Sequence, residues 1–134
     1  MFFDTHAHLN DERFDDDRSE LIESLAENGI GYVCEIGYDT ESSAKAYELS
    51  QKYDFIYAAA GVHPHDSEAL TDDGLDEIKA LLTKDKVVAL GEIGLDYYYD
   101  NSPRDVQKKW FIKQLELACE MKCPISVHTR DAME

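Results

Sequence analysis

A chain of 134 residues is the size of one domain and long enough to bury a core. Its 43% hydrophobic and 10% aromatic content excludes a disordered polymer, and no apolar run approaches the roughly 20 residues of a bilayer span. Thirteen basic against 29 acidic residues give a net charge of −16, which excludes a broad basic groove for phosphate backbones. An anionic substrate would have to be drawn in by bound metals and a few local cations.

The chain opens MFFDTHAHLN, and Asp4 and His6 interrupt any signal-like apolar segment, so a cytoplasmic location and no membrane partner are expected. His6 and His8 sit two apart, on the same face of an extended backbone, where two imidazoles can grip one divalent transition metal. An acidic loop with Asp15, Asp16 and Asp17 follows and reads as a solvated helix entrance. Leu21, Ile22, Leu25 and Ala26 form a helical stripe that Asn28-Gly29 is expected to stop. Ile30 to Gly37 reads as a second, buried strand, and Asp39 or Thr40 as the N-cap of a helix containing Ala44, Tyr47 and Leu49. The third strand, Phe55 to Gly61, runs into VHPHD, where Pro64 breaks the ladder and His65 is expected to be merely exposed. A helix over 72–83 precedes a fourth strand from Lys86 to Leu90, which is expected to end in GEIGLDYYYD. The longest helix spans about 103–122, and a fifth strand, PISV, leads into HTRDAME. Cys34, Cys119 and Cys123 are an odd set in apolar or helical surroundings, expected as reduced, buried thiols.

Five apolar strands separated by helices predict an α/β fold with parallel pairing. A doubly wound open sheet and a TIM-type (β/α)8 barrel both satisfy the pattern. No Gly-x-Gly-x-x-Gly follows the first strand, which counts against a dinucleotide fold. His6 and His8 at strand 1, His63 after strand 3, Glu92 at strand 4 and His128 at strand 5 all fall at C-terminal strand ends, the rim where parallel barrels build active sites. Glu92, among Leu90, Ile93 and Leu95, would be costly to bury without a metal or a cation.

DTHAHLN, GVHPHD, GEIGLDYYYD and VHTRDA together resemble the TatD-type metal-dependent deoxyribonucleases of the amidohydrolase superfamily, over residues 1–134. The resemblance implies a (β/α)8 barrel, of which the chain supplies about five strands and four helices, as the N-terminal half of a single barrel domain. It also implies a two-metal site (zinc, magnesium or manganese) that hydrolyses phosphodiester bonds of DNA as a 3′-5′ exonuclease. Carried over, His6 and His8 resemble ligands of one metal, Glu92 the catalytic carboxylate bridging both, and His128 a ligand of the second. His63 resembles a residue at the substrate phosphate, and Arg130 a cation that neutralises it. Asp4 and Asp96 are expected to support the ligands. The family pattern also needs a histidine after strand 6 and an aspartate after strand 8, and neither falls within these residues. Hydrolysis of another ester such as an aminoacyl-tRNA, or an inactive, truncated, self-associating half-barrel that binds metal, is the alternative expectation.

Overall fold

The computed structural model describes residues 1–133. Five strands, β1 (Phe2–Ala7), β2 (Ile30–Ile36), β3 (Ile56–Ala60), β4 (Val87–Asp96) and β5 (Ile125–Arg130), form one sheet. Four α-helices connect them: α1 (Arg18–Ser24), α2 (Thr40–Lys52), α3 (Asp72–Leu81) and α4 (Arg104–Met121). Short 3-10 turns at Glu12–Phe14 and Pro64–Ala69 precede α1 and α3. All neighbouring strands pair in parallel, in the order β1-β2-β3-β4-β5. A doubly wound sheet would reverse its order at a switch point. The unbroken order is that of a barrel wall, here five strands wide.

The main core lies between the sheet and its helices. Ala58, Ala60, Leu90 and Ile93 pack with Ile78 of α3 and Trp110 and Leu117 of α4. Val33 and Ile56 pack with Ile22 of α1 and Leu49 of α2. On the opposite face a small cluster of Cys34, Ile36 and Ala59 is buried, against Ala89. β1 is almost wholly exposed, with Phe2 at 71% and Phe3 at 54%, because it forms one edge of the sheet and faces the open side.

The helices start where capping chemistry allows. Asp39 accepts the Ser42 N–H while Ser42 reaches back to the Asp39 N–H, a reciprocal capping box that opens α2. Thr71 caps α3 by accepting from Gly74. α1 ends at Ser24, earlier than the Asn28-Gly29 stop, and Gly29 instead takes a positive φ of 84° in the turn into β2. All three cysteines are free, with Cys34 buried and Cys119 exposed, so the expectation of buried thiols fails at Cys119.

Candidate metal centre

β1 carries His6 and His8 toward the same point. His8 Nδ1 lies 3.1 Å from the Ile36 carbonyl oxygen, and a carbonyl can only accept, so Nδ1 holds the proton and Nε2 keeps its lone pair. His6 Nδ1 lies 3.3 Å from Ser126 Oγ, and the His6 N–H donates to Asp4 Oδ1 at 3.1 Å. The loop after β1 is clamped from beneath. Glu35, fully buried on β2, accepts the Leu9 and Asn10 N–H groups at 2.7 and 2.9 Å. Burial pushes the Glu35 carboxyl up to about 7, against the pull of those donors and of Arg18. The Arg18 guanidinium donates to the Leu9 and Asp11 carbonyls at 2.8 and 3.0 Å, which closes the clamp.

The β4–β5 seam supplies the facing donors. Glu92 Oε2 lies 3.3 Å from His6 Nε2 and 3.7 Å from His8 Nε2, while Oε1 lies 3.3 Å from His128 Nδ1. His128 turns its Nε2 to Asp96 Oδ2 at 2.9 Å, and His65 Nε2 meets the same oxygen at 3.0 Å. Asp96 Oδ1 accepts the N–H groups of Tyr98 and Tyr99 at 3.1 and 2.9 Å. Burial raises the Asp96 pKa, but the Tyr99 N–H, His128 and His65 outweigh it and hold the carboxyl at about 2. Gln107 of α4 clamps this residue's backbone: Oε1 accepts its N–H at 2.9 Å and Nε2 donates to its carbonyl at 3.0 Å.

His63 belongs to the same rim. Its Nδ1 accepts the His65 N–H at 3.0 Å, which leaves the proton of the neutral ring on Nε2. Burial, then the neighbouring His128 and His65, push its pKa down to about 3, so the ring is a neutral donor. An open cavity of about 490 Å³ runs past these groups, lined by His8, Asp11, Tyr38, His63, His65, Asp66, Glu92 and Asn101.

Two sets of convergent donors share Glu92: His6, His8 and Glu92, and His63, Glu92 and His128. The first set fits a divalent cation on its own chemistry. His6 Nε2 and His8 Nε2 stand 3.2 Å apart. The Ile36 carbonyl holds the His8 Nδ1 proton, and the Ser126 hydroxyl can accept one from His6 Nδ1, an arrangement that brings two imidazole Nε2 atoms and a carboxylate oxygen to one point. In the second set His128 Nδ1 is the free lone pair, because Nε2 donates to Asp96.

His6, His8, His63, Glu92, Asp96 and His128 therefore gather on one rim, Asp4 joins them through the His6 N–H, and the Arg130 guanidinium lies against the rings of Tyr98 and Tyr99. Two expectations are corrected. Glu92 and His128 do not end their strands: β4 runs on to Asp96 and β5 to Arg130. The ladder continues from Ile93↔Val127 to Asp96↔Arg130 because Gly91 and Gly94 let β5 approach. A Cβ at Gly91 would strike Ser126, and one at Gly94 the His128 carbonyl. His65 is the second correction, a cavity-lining partner of Asp96 and not a bystander. The signal was its spacing, since His63 and His65 repeat the two-residue step of His6 and His8.

Residues 3–134 match the family model described as TatD related DNase. A metal-dependent hydrolase of Bacillus subtilis, YabD, itself named as uncharacterized, is 47% identical over the whole chain and 52% of its own length. The protein named 3′-5′ ssDNA/RNA exonuclease TatD of Cronobacter sakazakii is 35% identical over 97% of this chain and 49% of its own. Among solved structures, the TatD homologue YJJV of Escherichia coli superposes with a TM-score of 0.89 at 32% identity, over 97% of this chain and 51% of that one. The chain thus spans about half the length of the relatives it matches. With the half-barrel order of its strands and this sequence match over nearly its whole length, the chain belongs to the TatD-related DNase family.

Proposed function

We propose that this chain carries the N-terminal part of a two-metal centre that hydrolyses phosphodiester bonds of DNA. The observation that carries the reading is Glu92, whose two oxygens face separate imidazole groups, Oε2 toward His6 and His8 and Oε1 toward His128. A carboxylate so placed suits a bridge between two cations. Bound divalent ions would acidify a water and neutralise charge on the phosphoryl oxygens. The chain's own residues would supply the ligands, their orientation and one substrate contact. His6, His8, Glu92 and His128 would hold the ions, Asp96 and Asp4 orient the ligands, and the His63 Nε2–H is free to donate to a phosphate oxygen. The relatives' names support a 3′-5′ direction on single strands.

The test is metal content beside hydrolysis of single-stranded DNA, RNA and an aminoacyl ester. Glu92→Ala is expected to remove at least one equivalent of metal and to abolish turnover. Unchanged metal content would overturn the bridge, and turnover of the aminoacyl ester alone would overturn the nuclease reading. Exposed Phe2 and Phe3 on β1, with Ile125 and Val127 on β5, leave apolar side chains along both outer strands. We propose that these edges pair with further strands, including those of a second copy, an association that light scattering reads. Among the described residues no helix is long and apolar enough to cross a membrane.

A further inference from the structure

Beyond the histidine rim, β4 ends in a turn that displays two aromatic rings. Tyr98 is 62% and Tyr99 54% exposed. Their ring centroids lie 4.7 Å apart and almost perpendicular, at 87°. The Arg130 guanidinium carbon stands 5.1 Å from one ring and 5.2 Å from the other, so one cation serves both. Tyr99 also meets His65 edge-on, with 5.6 Å between centroids.

This group is not free to wander. The Tyr98 and Tyr99 N–H groups are held by Asp96 Oδ1, while Oδ2 of the same carboxylate holds His128 and His65. The Tyr97 N–H donates to the Arg130 carbonyl at 2.9 Å, tying the turn to the end of β5. One buried residue thus fixes the distance between the aromatic pair and the candidate ligand His128.

We propose that Tyr98, Tyr99 and Arg130 form a stacking platform for the bases of a single nucleic-acid strand whose phosphate lies at the metal rim. The inference rests on the nuclease reading and names the part of the substrate recognised there. A net charge of −16 denies this chain the broad phosphate attraction that usually dominates nucleic-acid affinity. Base stacking on exposed aromatics is the sequence-tolerant alternative, and it needs unpaired bases, because those of a duplex are already stacked. Arg130 would add one phosphate or base contact on the same platform. The family match does not assign these rings.

The experiment is fluorescence anisotropy on the chain without added metal, so that no strand is cut, using a labelled oligothymidylate and an abasic oligonucleotide of equal length. The chain is expected to bind the thymidylate at least tenfold more tightly. Tyr98→Leu/Tyr99→Leu is expected to remove that preference and to leave abasic binding within twofold, whereas Tyr98→Phe/Tyr99→Phe retains it. Equal affinity of the unaltered chain for both strands would overturn the platform without need of any variant, as would a preference that survives the leucine pair. Hydrolysis of single strands with metal present separates the two readings. Cutting without base preference sinks the platform alone, and neither cutting nor binding sinks both.

Discussion

The two halves of the histidine rim are built to different standards. His128 and His65 lean on Asp96, a fully buried carboxylate that accepts from both rings and from two backbone N–H groups. His6 and His8 project from an exposed edge strand, steadied by a carbonyl, a hydroxyl and a loop clamp. A carboxylate partner raises the basicity of an imidazole and fixes its tautomer more firmly than a hydroxyl does. The β4–β5 side is therefore preorganised by the fold, whereas the β1 side depends on what it binds and on what covers its edge.

That contrast is sharpest in Asp96→Ala. The substitution leaves two imidazole N–H groups and two backbone N–H groups without their acceptor in a part-buried setting. A loss of about 2–3 kcal/mol in urea unfolding is expected, the scale for leaving partly buried donors unpaired. The proposed metal site is expected to loosen on the His128 side as well. A loss below about 1 kcal/mol would mean that Asp96 does not organise the seam.

How much of this was legible in the sequence follows the same divide. The apolar strands, the helices and the alternation of His6 and His8 are local patterns, and each reappears as an element or a shared face. The sequential strand order is not local. It follows from which helix covers which strand, and the family resemblance, not periodicity, pointed to it. The fourth strand is expected to end within GEIGLDYYYD, yet the two glycines there serve the close approach of β5 and the strand runs on, which no single segment reveals. Glu35 escaped notice for a similar reason: nothing in IGYVCEIG says that the backbone of a distant loop will descend onto its carboxylate.

Glu35 offers the next test, on the β1 side. Its folded pKa of about 7 lies above the ordinary 4.5, so the folded state holds a proton that the unfolded state has released between those values. Its contribution is thus fully present below about 4.5 and lost as pH rises through about 7, on the order of 3 kcal/mol in all. His63 acts in the opposite sense. Its folded pKa is depressed to about 3, so stability from that ring rises with pH up to its ordinary 6.5. Only the difference between Glu35→Gln and the unaltered chain isolates the carboxyl, with Asp4 and Arg18 as its charged neighbours. The variant is expected to gain on the unaltered chain from pH 4.5 to 7, measured by denaturant midpoints. Parallel profiles would place a charged Glu35 beneath the loop.

The smallest effect is expected at Ser126, and it decides whether the two sides truly differ. Its hydroxyl meets His6 Nδ1 at 3.3 Å in an exposed setting, the counterpart of the contact that Asp96 makes with His128. Water can replace an exposed hydroxyl, so Ser126→Ala is expected to leave unfolding free energy within about 0.5 kcal/mol. Apparent metal affinity is expected to fall only severalfold, below the roughly 10–100-fold usual for losing a well-ordered partner of a ligand. Calorimetric titration with zinc, beside the same titration of Asp96→Asn, gives the comparison directly. If the serine variant loses as much affinity as the asparagine variant, the β1 side is as firmly built as the seam, and the burial of Asp96 does not set the two apart.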